Sequence, residues 1–201
     1  KKYQRAPDFI VIEGALAGGH LGFKKEDLEN QTYQSLEEIF QEVEQVVESF
    51  QLNIPIFVAG GIHQRSDVKH FFELGVDGVQ VASRFIPTYE CDASMKYKEA
   101  FLKAKKEEVG LVSSPVGMPG RAFQNAFVQK TKQEKVPIKK CYQCLTPCNL
   151  KTTPYCISRA LIEAVKGNLD EGLIFTGAYG YMQDHLMHVE EVIHELMEDE
   201  K

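Results

Sequence analysis

The chain has 201 residues, 43% of them hydrophobic and 26% charged, with a formal net charge of −6. That length can bury a substantial core, and that balance excludes both an extended disordered chain and a basic surface for nucleic acid. No apolar run reaches membrane-span length, and five cysteines behind a start without signal-peptide character make the reducing cytoplasm the expected location, with no membrane partner.

The first element in chain order is a strand over Phe9 to Ile12, a β-branched run that breaks into the glycine-rich segment Glu13-Gly-Ala-Leu-Ala-Gly-Gly-His-Leu-Gly22. Glycines there let backbone approach a flat or anionic ligand, and His20 is the one imidazole at the strand's end. A tight turn with an incidental histidine is the plain alternative. A helix is predicted from Ser35 to Phe50, with Ser35 as N-cap and an apolar stripe through Leu36, Ile39, Phe40, Val43, Val46, Val47 and Phe50. The strand Ile54 to Ala59 then breaks at Gly60-Gly61. A short helix from Asp67 to Leu74, capped by Ser66 and stopped by Gly75, leads to the strand Gly78 to Ala82 and to Ser83.

This βαβαβ order implies parallel strands. Closing a barrel takes about eight strands, so three read as the last strands of a larger (β/α)8 barrel whose N-terminal segment is expected to be missing from this chain. A small doubly wound sheet is the runner-up. Successive strands ending in Gly60-Gly61 and Ala82-Ser83 offer backbone N–H groups and a hydroxyl, which suits a phosphate at the barrel's usual place for one. The spacing Gly14-x3-Gly18-Gly19-x2-Gly22 does not fit the dinucleotide fingerprint.

Beyond residue 90 the pattern turns helical. Helices are predicted over Met95 to Lys106, Arg121 to Lys130 and Pro154 to Val165, with an extended piece at Leu111 to Ser113 and a last helix capped by Asp184. The expected organisation is therefore residues 1–90 as the C-terminal part of a barrel and 91–201 as a mostly helical extension. The extension holds Cys141-x2-Cys144-x3-Cys148-x7-Cys156. Such thiols could hold zinc or an iron–sulfur cluster, or form a transient disulfide. With only one C-x2-C unit present, a compact loop of reduced thiols is the preferred reading, and no metal is assigned.

Glu-Gly-x-x-Ala-Gly-Gly-His-x-Gly, then Ala59-Gly-Gly-Ile62, then Gly78-Val-Gln-Val-Ala-Ser-Arg-Phe85 resembles the nitronate monooxygenase family, formerly called 2-nitropropane dioxygenases. The FMN-dependent enoyl-acyl-carrier-protein reductases share that barrel and nearly the same motifs. Ser114-Pro-Val-Gly-Met-Pro-Gly-Arg-Ala122 also resembles a family segment. Many relatives have Gly-Thr where this chain has Ala82-Ser83, a change that keeps the hydroxyl. The resemblance implies an FMN flavoenzyme of the TIM-barrel class. Carried over, Gly18 and Gly19 border the flavin, Gly60, Gly61, Gln80, Val81, Ala82 and Ser83 hold its phosphate and edge, and His20 is the catalytic base. The implied reaction oxidises a nitroalkane or nitronate with O2 to a carbonyl compound and nitrite. Enoyl thioester reduction with NAD(P)H is the alternative within enzymes, and a non-catalytic fragment or cysteine-rich interaction module the alternative outside them. A homodimer is among the expected assemblies.

Overall fold

In the computed structural model, which describes residues 5–198 apart from 145 and 147, the chain runs β1 (Ile10–Glu13), β2 (Gly19–His20), α1 (Lys25–Asn30), α2 (Leu36–Ser49), β3 (Ile56–Ala59), α3 (Arg65–Glu73) and β4 (Gly78–Gln80). It continues through α4 (Met95–Lys103), β5 (Val109–Ser113), β6 (Pro119–Phe123), α5 (Ala126–Gln133), α6 (Ile157–Val165) and α7 (Val189–Met197). The strands β1, β3 and β4 form a parallel sheet in the order β1-β3-β4, as the βαβαβ pattern requires. Their alternate residues Ile12, Ile56 and Val58 are buried against Leu36 and Phe40 of α2, Val68 and Phe71 of α3, and Val192 and Leu196 of α7. The opposite face is different. There Phe9 and Val11 are exposed, and Phe9 meets Phe57 edge-on at 5.7 Å.

Local rules account for the helix starts. Ser35 Oγ accepts from the Glu38 N–H at 3.1 Å while the Glu38 carboxylate accepts from the Ser35 N–H at 2.7 Å, a reciprocal cap for α2. The start of α3 corrects the expectation of a Ser66 cap. The Asp67 carboxylate reaches back to the N–H groups of His63 and Gln64, both at 2.9 Å, so the helix begins at Arg65 and Ser66 lies inside it. Gly75 does stop α3, with φ +98°.

The largest correction concerns Arg121. It does not open a helix: Pro119–Phe123 is β6, antiparallel to β5 with Val112 opposite Gly120 and Leu111 opposite Arg121. The helix that follows starts only at Ala126, capped by Asn125 Oδ1, which accepts from the Val128 N–H at 3.1 Å. Cross-strand pairing overrides local helix propensity here. β6 also pairs with β2, placing Gly19 opposite Arg121 and His20 opposite Gly120, so a second sheet runs in the order β2-β6-β5. It packs on α5 and α6 through Val112, Ala122, Phe127, Tyr155 and Ala160. Three boundaries also move. α4 ends at Lys103, α6 starts after Cys156, and α7 is capped by His188 rather than Asp184.

Candidate functional site

The carboxyl ends of β1, β3 and β4 carry one register row, Glu13 opposite Ala59 opposite Gln80. These three residues line a cavity of about 320 Å3. The loops that leave the strands wall it, and all eight residues expected to touch a cofactor lie there: Gly18 and Gly19 after β1, Gly60 and Gly61 after β3, and Gln80, Val81, Ala82 and Ser83 at the end of β4. His20 is not among the residues that wall the cavity. Its ring meets that of Phe175, which is, edge-on with ring centroids 5.0 Å apart, and its Nε2 is 2.6 Å from Ser114 Oγ.

The glycines earn their positions by different means. Gly60 and Gly61 have φ of +93° and +80°, and a Cβ on Gly60 would come within 2.8 Å of the Ala17 nitrogen. The glycine-rich loop is pinned from beneath by Arg121, whose Nη1 donates to the carbonyls of Ala15 and Ala17, both at 2.6 Å. Burial of that guanidinium lowers its pKa. Ser83 Oγ accepts from the Gly177 N–H at 3.0 Å, and the Ala178 N–H donates to Leu16 O at 3.0 Å. Phe175 to Gly180, a third segment beside the β1 loop and the end of β4 that it bonds, thus helps to close the cavity.

The reading of the sequence alone passed over that third segment. Its signal was present, because Leu173-Ile174-Phe175 is an apolar run that breaks at Gly177 and Gly180, the same pattern as at β1 and β3. Glu13, His63 and Tyr97 also line the cavity without having been singled out. Burial raises the pKa of Glu13 and pushes the Tyr97 phenol up to about 12. His63 is pushed down to about 4, first by burial and then by the nearby Arg84 guanidinium, against the opposing pull of Asp67 and Glu195. Arg84 itself is buried and paired with Glu195 of α7.

The His63 shift has a sign that can be tested. An unfolded imidazole takes up its proton below about pH 6.5, whereas the folded one stays neutral down to about 4. Protons therefore favour the unfolded chain within that window. Stability is expected to fall by about 3 kcal/mol as pH drops from 6.5 to 4 through this group alone, at about 1.4 kcal/mol per pH unit. Denaturant melts across that range check it: His63→Gln should flatten the acid slope, and an unchanged slope would assign it to other groups.

The cysteines gather elsewhere. Cys141, Cys144, Cys148 and Cys156 all line a separate cavity of about 280 Å3 together with Pro115 and Tyr155. All are free thiols, and among the described residues no three His, Cys, Asp or Glu side chains are grouped closely enough to grip an ion. His185, His188 and His194 each pair with a surface carboxylate, Asp184, Glu90 and Glu198 respectively.

A glycine-lined cavity at the carboxyl ends of parallel strands is the place where α/β proteins carry their ligand sites. The sequence profile of the nitronate monooxygenase family matches residues 1–199, and the chain belongs to that family. A probable nitronate monooxygenase of Staphylococcus saprophyticus is 32% identical over 126 residues, 63% of this chain and 34% of that protein. Another from Bacillus subtilis is 28% identical over 131 residues, 65% and 36% of the two chains. This chain therefore spans about a third of the length of the curated relatives it matches. Among solved structures, FabK from Thermotoga maritima matches 94% of this chain and 53% of its own, with TM-score 0.68 and 24% identity. A nitroalkane oxidase from Streptomyces ansochromogenes matches 94% and 50%, with TM-score 0.67 and 20% identity. Both likenesses are of fold.

Proposed function

We propose that this chain carries the phosphate-binding end of an FMN site in an oxidoreductase that oxidises alkyl nitronates or nitroalkanes with O2, releasing a carbonyl compound and nitrite. The observation that carries the reading is a cradle of bare backbone. The N–H groups of Gly60, Gly61 and Ala82 donate to no acceptor among the described residues, and all three border the cavity. A Cβ on Gly19, at φ +74°, would meet nothing within 4 Å, so that part of the wall is also open backbone. Uncommitted N–H groups on glycine loops bind phosphate. FMN bound there supplies the electron-accepting ring, while the protein supplies position and proton transfer.

The roles of the side chains follow from their places. Ser83, already accepting from Gly177, can donate its own proton to a phosphate oxygen. Gln80 and Glu13 present polar groups on the floor row. His20 is assigned as the base. With Nε2–H donating to Ser114, the other ring nitrogen takes the substrate's α-proton, and burial, which lowers the imidazole pKa, keeps the ring neutral for that task. The exposed Phe9 and Val11 face, opposite the helix-covered one, supports the reading of β1, β3 and β4 as part of a (β/α)8 barrel whose other strands complete the flavin's walls.

The test uses the protein at its natural length. Heat-released FMN, with O2 uptake and nitrite release on an alkyl nitronate, is the expected result. NAD(P)H oxidation with a crotonyl thioester and no nitrite would assign the site to enoyl reduction instead. A colourless protein that takes up no FMN would remove the flavin reading and leave the interaction-module alternative.

A further inference from the structure

We propose that Cys141, Cys144, Cys148 and Cys156 form a four-thiolate zinc site, separate from the flavin cavity, that ties down the loop joining α5 to α6.

Four observations converge on it. First, the four thiols stand on the wall of one cavity, although they are spread over sixteen positions from 141 to 156. The fifth cysteine, Cys91, is not among them. Second, the turn between the first two is built as a thiolate knuckle. Gln143 adopts φ +52°, and its N–H donates to Cys141 Sγ at 3.4 Å. The turn thereby folds back on the first sulfur and fixes its position.

Third, the middle of the loop lacks another source of order. No helix or strand occurs among its described residues from 134 to 156, where structureless connections longer than about 12–15 residues are uncommon. Val136 and Tyr155 pack into the core at the loop's two ends, but between them Tyr142 and Leu150 are exposed, so burial does not hold its middle. Polar contacts add to the packing at its base: Lys135 Nζ donates to the carbonyls of Leu150 and Lys151, and Cys148 Sγ lies 3.4 Å from Thr153 Oγ1. A structural zinc replaces a missing core in such segments. Fourth, residues 130–156 contain six lysines and one glutamate. Four thiolates around a divalent ion carry two net negative charges, which that cationic stretch offsets.

The ion would draw Cys141 and Cys144 in from the exposed rim, with release of the thiol protons, since binding and ordering are coupled in small thiolate sites. The site also has a line to the chemistry. Pro115 lines the thiol cavity, and Tyr155, on the same wall, donates to Ser113 O at 3.0 Å. Ser114, between them, is the partner of His20. A filled site would therefore brace the turn that aims the proposed base.

Elemental analysis of protein purified under reducing conditions is expected to find zinc near one per chain. After chelation, titration with cobalt(II) is expected to give the intense thiolate-to-metal absorption and tetrahedral ligand-field bands of a four-sulfur site. Cys144→Ser and Cys148→Ser should each weaken binding by at least the roughly 10–100-fold that outer partners of a metal site carry, while Cys91→Ser should retain it. The titration on the unaltered protein decides the matter even if a variant misfolds. Iron with labile sulfide, or reduced protein that holds no zinc and shows no cobalt–thiolate absorption, would overturn the proposal.

Discussion

His20→Ala is expected to slow turnover of a neutral nitroalkane by about 10²–10⁴-fold, the usual contribution of a positioned base, while flavin content stays unchanged. The retained flavin follows from geometry. His20 is not among the residues that wall the cavity, so its loss removes no cradle group. A preformed nitronate has already lost its α-proton and should be turned over nearly as before. The pH profile supplies a second readout. Burial lowers the pKa of this imidazole, so the neutral, proton-accepting form persists to lower pH than a solvated histidine allows. The acid limb of kcat/KM for the neutral substrate should then lie below about 6.5 and vanish in the variant. Equal losses on nitroalkane and nitronate would reject the base role.

Gly18→Ala is expected to produce a large loss of stability. A Cβ at this position would lie 2.6 Å from both the Gly177 nitrogen and the Thr176 carbonyl carbon, and 2.8 Å from the Thr176 oxygen. All three are backbone atoms, so no flexible side chain can yield. The added methyl must push the two segments apart, at the roughly 1–3 kcal/mol typical of overpacking. It would also strain the bonds that join them, from Ala178 N–H to Leu16 O and from Gly177 N–H to Ser83 Oγ. Weaker FMN binding should accompany the lower denaturation midpoint. Gly22→Ala is the matched control: its Cβ meets nothing within 4 Å, and stability should change by less than about 0.5 kcal/mol. Equal effects at the two glycines would show that the clash is relieved.

The parallel sheet and the glycine loops at its strand ends were legible because they are encoded locally. An apolar run that ends in glycines announces both a strand and its loop, and it did so at β1 and β3. The α2 cap was equally readable, since Ser35 and Glu38 sit three residues apart. What escaped was set by distant pairing. Arg121 falls in a stretch with acceptable helix propensity, and nothing nearby reveals that it reaches the carbonyls of Ala15 and Ala17 or that β2 will claim β6 as a neighbour. The start of α3 was misplaced for a smaller reason: Asp67 reaches back to the N–H groups of His63 and Gln64, which starts the helix early and takes Ser66 inside it. Phe175 to Gly180 was missed although its glycine pattern matched, since it follows an apolar run that forms no regular strand.

The contacts that close the cavity share one property with consequences for how the protein is made. His20 and Ser114 are 94 residues apart, as are Ser83 and Gly177, and Arg121 is 106 residues from Ala15. Each bond closes a loop about half the chain long. Loop-closure entropy must be spent before such contacts give anything back, and chains dominated by long-range contacts fold slowly. The strands β1, β3 and β4, with α2 and α3 between them, can assemble from nearer pieces, and α7 covers that core afterwards. The ligand pocket is thus expected to be the last region to form and the first to open. In hydrogen exchange the amides of Gly177 and Ala178 should lose protection at lower denaturant than those of Ile12 and Val58. A bound cofactor would act on this late step, as a clasp that holds the two ends of the chain together once they have met.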